Sequence, residues 1–513
     1  MTRTGRSGAD LLLSLAPALV IATGVAFAPQ VLNDGDTYWH LAAGEWMLSH
    51  GAVLHADPFS YTAAGRPWQT HEWLSEILMA AAFRTAGWSG VQLLFALAAG
   101  SAAATMGSEL RRWLAPLSQI MVLVLAFAVL SGSLLARPHL LALPLLAIWT
   151  VGLLRARGRG DAPSLWLLPL MTLWANLHGG FVIGLGLAGA FAVEAVLADR
   201  DRMAALRRWG VFLAGAALAA LATPHGIAGF LFPLSIMGMK ILPGLVEWRS
   251  ADFSRFGPFE LALIAALYVM LSRGVRISPI RLLVLLGLLH LGLHQVRQQM
   301  VLACVGALLL AEPLGRALSA EPAPTRFTFG WRPVALGAGL LAAVLVATRL
   351  WLPVVRVDGP TSPISALAHT PASVRAMPVF NDYGMGGYLI FMGVKPFIDG
   401  RADMYGDAFV ERYFAADADP KRLQQALQGY DVAWTMLDPS SPAVGALDET
   451  PGWRRLYADR FAVVHVRAGL NLTADHPPIS RRGGPPPGST VPRAGTRDAA
   501  IAARSPAAPG ARR

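Results

Sequence analysis

Apolar runs recur along most of this 513-residue chain, from residue 10 to residue 352. Each is about 17 to 25 residues long, enough to cross the ~30 Å of hydrocarbon in a bilayer. A backbone in lipid must satisfy its own polar groups, so runs of this length fold as helices. Hydropathy places about eleven of them, at 10–28, 74–105, 116–135, 139–154, 164–176, 180–198, 209–222, 258–272, 280–293, 300–318 and 333–352. The first, "LLLSLAPALVIATGVAFAP", is too long and too weakly marked for cleavage to read as a secretory signal, and many spans follow it. Residues 227–243 are apolar too, and read as a re-entrant or interfacial segment that does not span.

Charge sorts the loops between these runs into two sets. One set holds Arg3 and Arg6, Arg111 and Arg112, Arg155, Arg157 and Arg159, Arg200 to Arg208, Arg273 to Arg281, and Arg316 to Arg332. The positive-inside rule makes these loops cytoplasmic, and their regular alternation requires 227–243 not to span. A net charge of +11 would point to nucleic acid in a soluble chain. Here the basic residues sit in short loops and in the tail, so topology accounts for them and no nucleic-acid partner is expected. Among 43 basic residues only Lys240, Lys395 and Lys421 are lysines, and such an Arg- and Ala-rich usage is associated with a bacterium of GC-rich genome. Cys304 is the only cysteine, which excludes an intramolecular disulfide and a cysteine-clustered metal site.

The other loop set is polar in a different way: "DGDTYWH" from Asp34, "QTHEW" from Gln69, "RPH" from Arg137, "NLHGG" from Asn176, "TPHG" from Thr223, "EWRS" from Glu247 and "HQVRQQ" from His294. Any one of these fits ordinary helix-end chemistry. Seven on one face point to a polar, His- and Arg-bearing cavity, because polar groups near a membrane are costly unless they line water or a ligand site. Asp34 and Asp36 flank a glycine and can converge on one point, with His40 a helical turn beyond. Such a set can bind a divalent cation such as Mg or Mn, or share acid/base work. It is equally a helix N-cap when read alone. Arg297 can clamp a phosphate through two parallel hydrogen bonds. There is no His-Glu-x-x-His, P-loop or Gly-x-Ser-x-Gly motif.

Residues 1–353 thus form the membrane domain, with a first outer loop at 29–73. Residues 354–470 mix short β-like runs ("PVFND", "YLIFMG", "DVAWTML", "FAVVHVRA") with a helical stretch from Asp407 to Gly429, and predict a compact α/β domain on the non-cytoplasmic side. Residues 471–513 are rich in Pro, Gly and Arg and predict a disordered basic tail. The Asn471-Leu-Thr473 sequon within it is read as chance.

This order of parts resembles the GT-C superfamily of integral-membrane glycosyltransferases, which use lipid-linked sugars. The first loop resembles that of the archaeal oligosaccharyltransferase catalytic subunit in its Asp36, Tyr38 to Leu41 run, Asp57-Pro58-Phe59 step and Gly65. "FNDYGMGGYLI", Phe380 to Ile390, resembles that family's Trp-Trp-Asp-Tyr-Gly motif, with Asp382, Tyr383 and Gly384 kept and both tryptophans replaced. "PFIDGRADMYG", Pro396 to Gly406, follows where the family has an Asp-Asn segment. The resemblance implies a polytopic α-helical GT-C-like membrane protein with a periplasmic α/β domain, and a polyprenyl-phosphate or -diphosphate sugar entering from the bilayer. It implies Asp36, then Asp34, as catalytic, and Arg297, His178 and Arg137 for the donor phosphate. His40, His71, Glu72, His225, Asp382, Tyr383, Asp399 and Arg401 would line the cavity or meet the acceptor, and Asp34, Asp36 and His40 are the metal candidates. The family's acidic motif in the second outer loop is replaced here by Arg137-Pro138-His139. The alternative class is a non-enzymatic carrier or scaffold for envelope polysaccharide. A carrier would show repeats with interrupted helices, and none is visible; a scaffold would leave Asp36, His178 and Arg297 far apart.

Overall fold

The computed structural model describes residues 8–318 and 330–470. Arg3, Arg6, Arg326, the Asn471–Thr473 sequon and the basic tail lie outside the described residues. The membrane part comprises α1 (Gly8–Phe27), α2 (Asp36–His50), α3 (Trp73–Leu110), α4 (Pro116–Leu130), α5 (Pro138–Arg159), α6 (Leu168–Leu177), α7 (Phe181–Ala198), α8 (Arg202–Ala220), α9 (Gly226–Met237), α10 (Pro258–Arg273), α11 (Pro279–His294), α12 (Gln299–Ala317) and α13 (Trp331–Trp351). Pro116, Pro138, Pro258 and Pro279 each open a helix, where the missing N–H costs nothing. Long α3 breaks at Ala86 and Gly87, whose φ and ψ are not helical. Small residues let α1 lie along α3: a Cβ on Gly100 would stand 3.0 Å from the Ala22 Cβ.

The expectation of about eleven spans is corrected to eight helices long and apolar enough to cross a membrane among the described residues. These are α1, α3, α4 with its terminal turn, α5, α7, α8, α12 with its first turn, and α13. The three others, α6, α10 and α11, are helical where expected but run only 10, 16 and 16 residues. Helix α9 has 12 residues and a proline at 233, about 18 Å of rise, too short to span.

Ion pairs gather the arginine loops at one end of the bundle. Arg111 pairs with Asp10 (3.2 Å), Arg155 with Glu109 (2.8 Å), and Arg157 and Arg281 both with Glu194 (3.8 and 3.1 Å). The opposite end carries the first loop, the starts of α3 and α5, the ends of α6 and α11, and the described residues after α13.

The C-terminal part continues with α14 (Ile364–His369), α15 (Ala372–Arg375), α16 (Gly386–Phe391), α17 (Ala402–Tyr405), α18 (Asp407–Ala418), α19 (Pro420–Gly429) and α20 (Pro442–Glu449) around a four-stranded sheet. Its strands are β1 (Val379–Asn381), β2 (Trp434–Leu437), β3 (Trp453–Ala458) and β4 (Val463–Arg467), in the order β1-β2-β4-β3. The pair β1–β2 is parallel and the other two pairs are antiparallel. "YLIFMG" is not a strand: it falls in α16 and the turn after it. A short, fully buried apolar run carries no periodicity to separate helix from strand. Here an Asp382-capped turn starts the helix, and its Tyr388 packs edge-on to Tyr38 of α2.

This domain shares a core with the first outer loop. Trp39, Met47, Leu54 and Trp68 share one core cluster with Phe380, Phe397, Tyr413 and Leu427. At its centre the fully buried Arg401 guanidinium bonds both oxygens of Asp399 (2.7 Å each) and Asp57 Oδ1 (2.7 Å). The ring of Trp68 lies 4.7 Å below it. Tyr405 adds a hydrogen bond to Asp399 (2.8 Å), and Asp57 also accepts from the Phe59 and Ser60 amides. Removing the cation would leave two buried carboxylates uncompensated, at a cost of about 3–5 kcal/mol. Arg401→Met should therefore lower the thermal midpoint sharply in nanodiscs and open residues 51–72 to protease. An unchanged melting profile would show that this ion triad does not hold the two parts together.

Candidate functional site at the outer ends of the helices

Four segments meet at Arg137. Its turn is pinned to the first loop: the Ala136 amide donates to Val31 O (2.7 Å), and Thr37 Oγ1 donates to Ala136 O (3.0 Å). From there the guanidinium reaches Asp34 Oδ2 through Nε (2.8 Å), Asp36 Oδ2 through Nη2 (2.7 Å), and the Glu247 carboxylate through Nη1. Glu247 in turn lies 3.7 Å from Arg297 Nη1, and the Arg297 guanidinium stacks 4.3 Å over Trp248. The segment that brings Glu247 is tied down at both ends. The Lys240 and Ile241 amides donate to Asp407 of α18 (3.1 and 3.2 Å), and the Ala251 amide donates to Leu293 O (2.8 Å).

"DGDTYWH" forms a side-chain-bonded turn and a charge cluster together, and α2 itself, with Gly35 at its N-cap, has no side-chain cap. Asp34 Oδ1 accepts the Asp36 amide (2.8 Å), turning the chain into α2, while Oδ2 faces Arg137. Gly35 is required because the C-terminal domain presses on it: a Cβ there would stand 2.5 Å from Gly384 O. Asp36 itself lies against Gly400, where a Cβ would fall 1.8 Å from its Oδ1. The Asp-Tyr-Gly and Asp-Gly-Arg segments thus form the lid over the aspartates.

Charge decides which carboxylate carries a proton. Asp34, Asp36 and Glu247 are three anions, and Arg137 and Arg297 are two cations, so one negative charge is in excess. Burial pushes Asp36 up to about 7, with Arg137 opposing and Asp34 and Glu247 adding to the rise. Burial would raise Glu247 as well, but Arg137 and Arg297 outweigh it and hold that residue down at about 2. The shared proton therefore belongs on Asp36, at a value suited to general-base work near neutrality. Burial, then the charges of Asp36 and Asp399, keep the Tyr383 phenol protonated well above its ordinary range.

A second cluster adjoins the first. Glu72, at the start of α3, has His178 Nε2 at 3.4 Å and His71 Nε2 at 3.6 Å on one oxygen, and His40 Nε2 at 3.8 Å on the other. His40 Nδ1 faces Glu76 Oε1 (3.2 Å), one helical turn along. Since His178 Nδ1 accepts the Gly180 amide (2.9 Å), its proton lies on Nε2, toward Glu72. Burial drives His40 and His178 down to about 3, so both are neutral. Burial would lower His71 too, but the charge and hydrogen bond of Glu72 reverse it and raise the residue. Burial would raise Glu72, and His71 with the other two imidazoles overrides it and lowers the carboxyl. His139, bonded to Ser133 O (2.8 Å), bridges toward the first cluster with its ring 6.3 Å from that of His178.

Several expected assignments change. Asp399 and Arg401 do not line a cavity, because they are consumed in the buried triad with Asp57. Asp382 is a cap: its Oδ1 accepts the Gly384 amide (2.8 Å), and burial pushes it up to about 6. His225 belongs to neither ionic cluster, with Nε2 3.3 Å from Thr70 O, but it does line a cavity, the one between the first outer loop and α9. As a cation site, Asp34, Asp36 and His40 do not fit together. The two aspartates are bound to Arg137, and His40 points to Glu72 and Glu76. Among the described residues no other His, Cys, Asp or Glu group is arranged to hold a metal. Glu247, Glu76 and Gly400 were not anticipated as site residues. Glu247 sits in an outer motif that could have flagged it, and Glu76 lies four residues from Glu72 on one helix face. Gly400 depends on a contact far away in sequence and left no signal.

No protein-family model and no curated protein matches this chain. Among solved structures, the apo Archaeoglobus fulgidus oligosaccharyltransferase superposes with a TM-score of 0.52 at 14% identity, covering 83% of this chain and 69% of that one. ArnT from Cupriavidus metallidurans bound to undecaprenyl phosphate gives 0.49 at 14% identity, over 90% and 98% of the two chains. The apo form of that ArnT gives 0.47 at 14% identity, over 89% and 97%. The chain is thus a polytopic α-helical membrane protein with a GT-C-like fold and a small C-terminal β-sheet domain.

Gly400→Ala places a methyl group against the Asp36 carboxylate and should cost about 1–3 kcal/mol by overpacking. In an Asp36→Ala background the room exists, so the same substitution should cost far less. A double-mutant cycle on thermal stability measures this; additive losses would mean that Gly400 does not hold Asp36.

Proposed function

We propose that this chain is a membrane glycosyltransferase that moves a sugar from a polyprenyl-phosphate or -diphosphate donor to an acceptor at the outer face of a bacterial inner membrane. The observation that carries the reading is the Asp36–Arg137–Glu247–Arg297 cluster at the outer helix ends, lidded by the C-terminal domain, within a GT-C-like fold. A scaffold has no use for such a convergence, which brings Asp36 and Arg297 into one ionic network. Eleven crossings belong to the same reading, with α6, α10 and α11 crossing as short helices. Its support is that α6 and α11 both run from the arginine end, at Asp161–Arg208 and Arg281–Glu194, to the site end, at His178 and Gln295.

In the reaction, the acceptor's nucleophilic atom attacks the anomeric carbon of the sugar. The carboxylate of Asp36 takes the acceptor proton as the new bond forms. The bond from the anomeric carbon to the lipid phosphate breaks, and its electron pair leaves on the phosphate oxygen. Arg297, a third exposed at the cluster's edge, receives that charge. Asp34 and Glu247 hold Arg137 in place, and Arg137 positions Asp36. His178 and His139 continue the polar wall toward Glu72. No step passes through a metal.

Asp36→Ala, Asp36→Asn and Arg297→Ala should each reduce transfer from a radiolabelled polyprenyl-linked sugar, assayed in membranes, by at least about 100-fold. Full activity in the Asp36 and Arg297 variants would overturn the assignment. Transfer should persist in EDTA; a loss restored by Mg or Mn would require Arg137 to leave the aspartates and a cation to replace it.

A further inference from the structure

A cavity of about 560 Å³ opens between the first outer loop and α9, with its wall residue Phe232 packed against His71 of the histidine–glutamate cluster. That volume lies within the ~300–1,000 Å³ of small-molecule sites. Its polar walls are His55, Gln69, His225, Ser235 and Asp403. Its apolar walls include Pro67, Trp68, Leu231, Phe232 and Met404. We propose that this cavity is the acceptor subsite and that it takes an uncharged pyranose, the terminal ring of a glycan. The proposal rests on the transferase reading and names the acceptor that reading leaves open.

The first argument is chemical. A pyranose presents a C–H face and a rim of hydroxyls that each donate and accept. The imidazoles, the amide and the hydroxyl here can also play either role, and Asp403 accepts. No Arg or Lys lines the cavity among the described residues, so a phosphate, a uronic acid or a peptide carboxylate would find no counter-charge.

The second argument is unsatisfied capacity. The side chains of Gln69 and His55 make no hydrogen bond within the described residues, although both belong to a loop whose other polar groups are paired. The third is rigidity. Trp68 is fixed by its Nε1 bond to Asp403 Oδ2 (3.2 Å) and by the Arg401 guanidinium at 4.7 Å, so the wall exists before any ligand arrives.

The fourth argument is placement. One residue, His71, joins the cavity to the ionic site. Its ring packs 4.2 Å from the cavity residue Phe232, and its Nε2 lies 3.6 Å from Glu72. A ring seated here would present its outward hydroxyl toward the histidine–glutamate cluster beside Asp36.

The test is binding, read apart from turnover. Saturation-transfer NMR on the full chain in nanodiscs would use methyl glycosides of glucose, galactose, mannose and N-acetylglucosamine as probes, with glucuronic acid and the tripeptide Asn-Ala-Thr as comparators. At least one neutral glycoside should bind saturably, and the two comparators should not compete with it. Gln69→Leu should weaken that binding about 10-fold, the loss of a hydrogen bond. Ala228→Trp, which fills the cavity from exposed α9, should abolish it, with thermal melting confirming the fold. Binding of none of the glycosides, binding indifferent to Ala228→Trp, or displacement by the tripeptide would overturn the proposal. If transfer depends on Asp36 and Arg297 yet no glycoside binds, the acceptor assignment alone falls. If a glycoside binds here while those variants remain fully active, the catalytic assignment falls and the subsite stands.

Discussion

One guanidinium, that of Arg137, is shared by Asp34, Asp36 and Glu247, and through Glu247 it reaches Arg297. Three segments distant in sequence are drawn together by it: the end of the first span, the start of α5 and the strap that follows α9. Taking such charges out of water is costly, and the cost is recovered only when every face of the cation is matched. Arg137 therefore fixes how the outer ends of the helices are arranged. It also leaves one carboxylate more than the cations can neutralise, which makes Asp36 the proton-bearing member.

The second constraint is the way the C-terminal domain closes the site. Its glycines at 384, 387 and 400 meet Gly35 and Asp36 backbone-close, and Arg401 locks Asp57 of the first loop into the shared core. The proposed transfer of a sugar from a phosphate would require water to be kept from the anomeric carbon, and a lid resting directly on the aspartates would serve that end. The same packing joins the small C-terminal β-sheet domain to the first loop across the change of composition near residue 354.

Much of this was legible before any coordinates. Long apolar runs and the arginine loops separated the two ends of the bundle, and six of the seven polar outer motifs contribute to the two adjoining clusters, the exception being "TPHG". Eight of the eleven expected spans are long enough to cross by length alone, and hydropathy could not show that the helices of the other three run only 10 to 16 residues. "YLIFMG" read as a strand because a buried six-residue run has no period to arbitrate. Asp399 and Arg401 read as cavity residues because sequence marks a charge as unusual without saying whether a partner consumes it; theirs is Asp57, hundreds of residues upstream. Gly400 was invisible for the same reason: its role is set by a contact that no local pattern encodes. For "DGD", Asp34 caps no helix: one of its oxygens closes the turn into α2 and the other faces Arg137.

The account stands most directly on the protonation of Asp36. Infrared difference spectroscopy of the protein in nanodiscs, titrated from pH 5 to 9 and compared with Asp36→Asn, isolates the carboxyl stretch of that residue. With its value pushed up to about 7 by burial, Asp36 is protonated below that pH and becomes a carboxylate above it. The account predicts a protonated-carboxyl band that is half lost near pH 7 and absent from Asp36→Asn. A band already lost by pH 5, as for an ordinary aspartate, would contradict it.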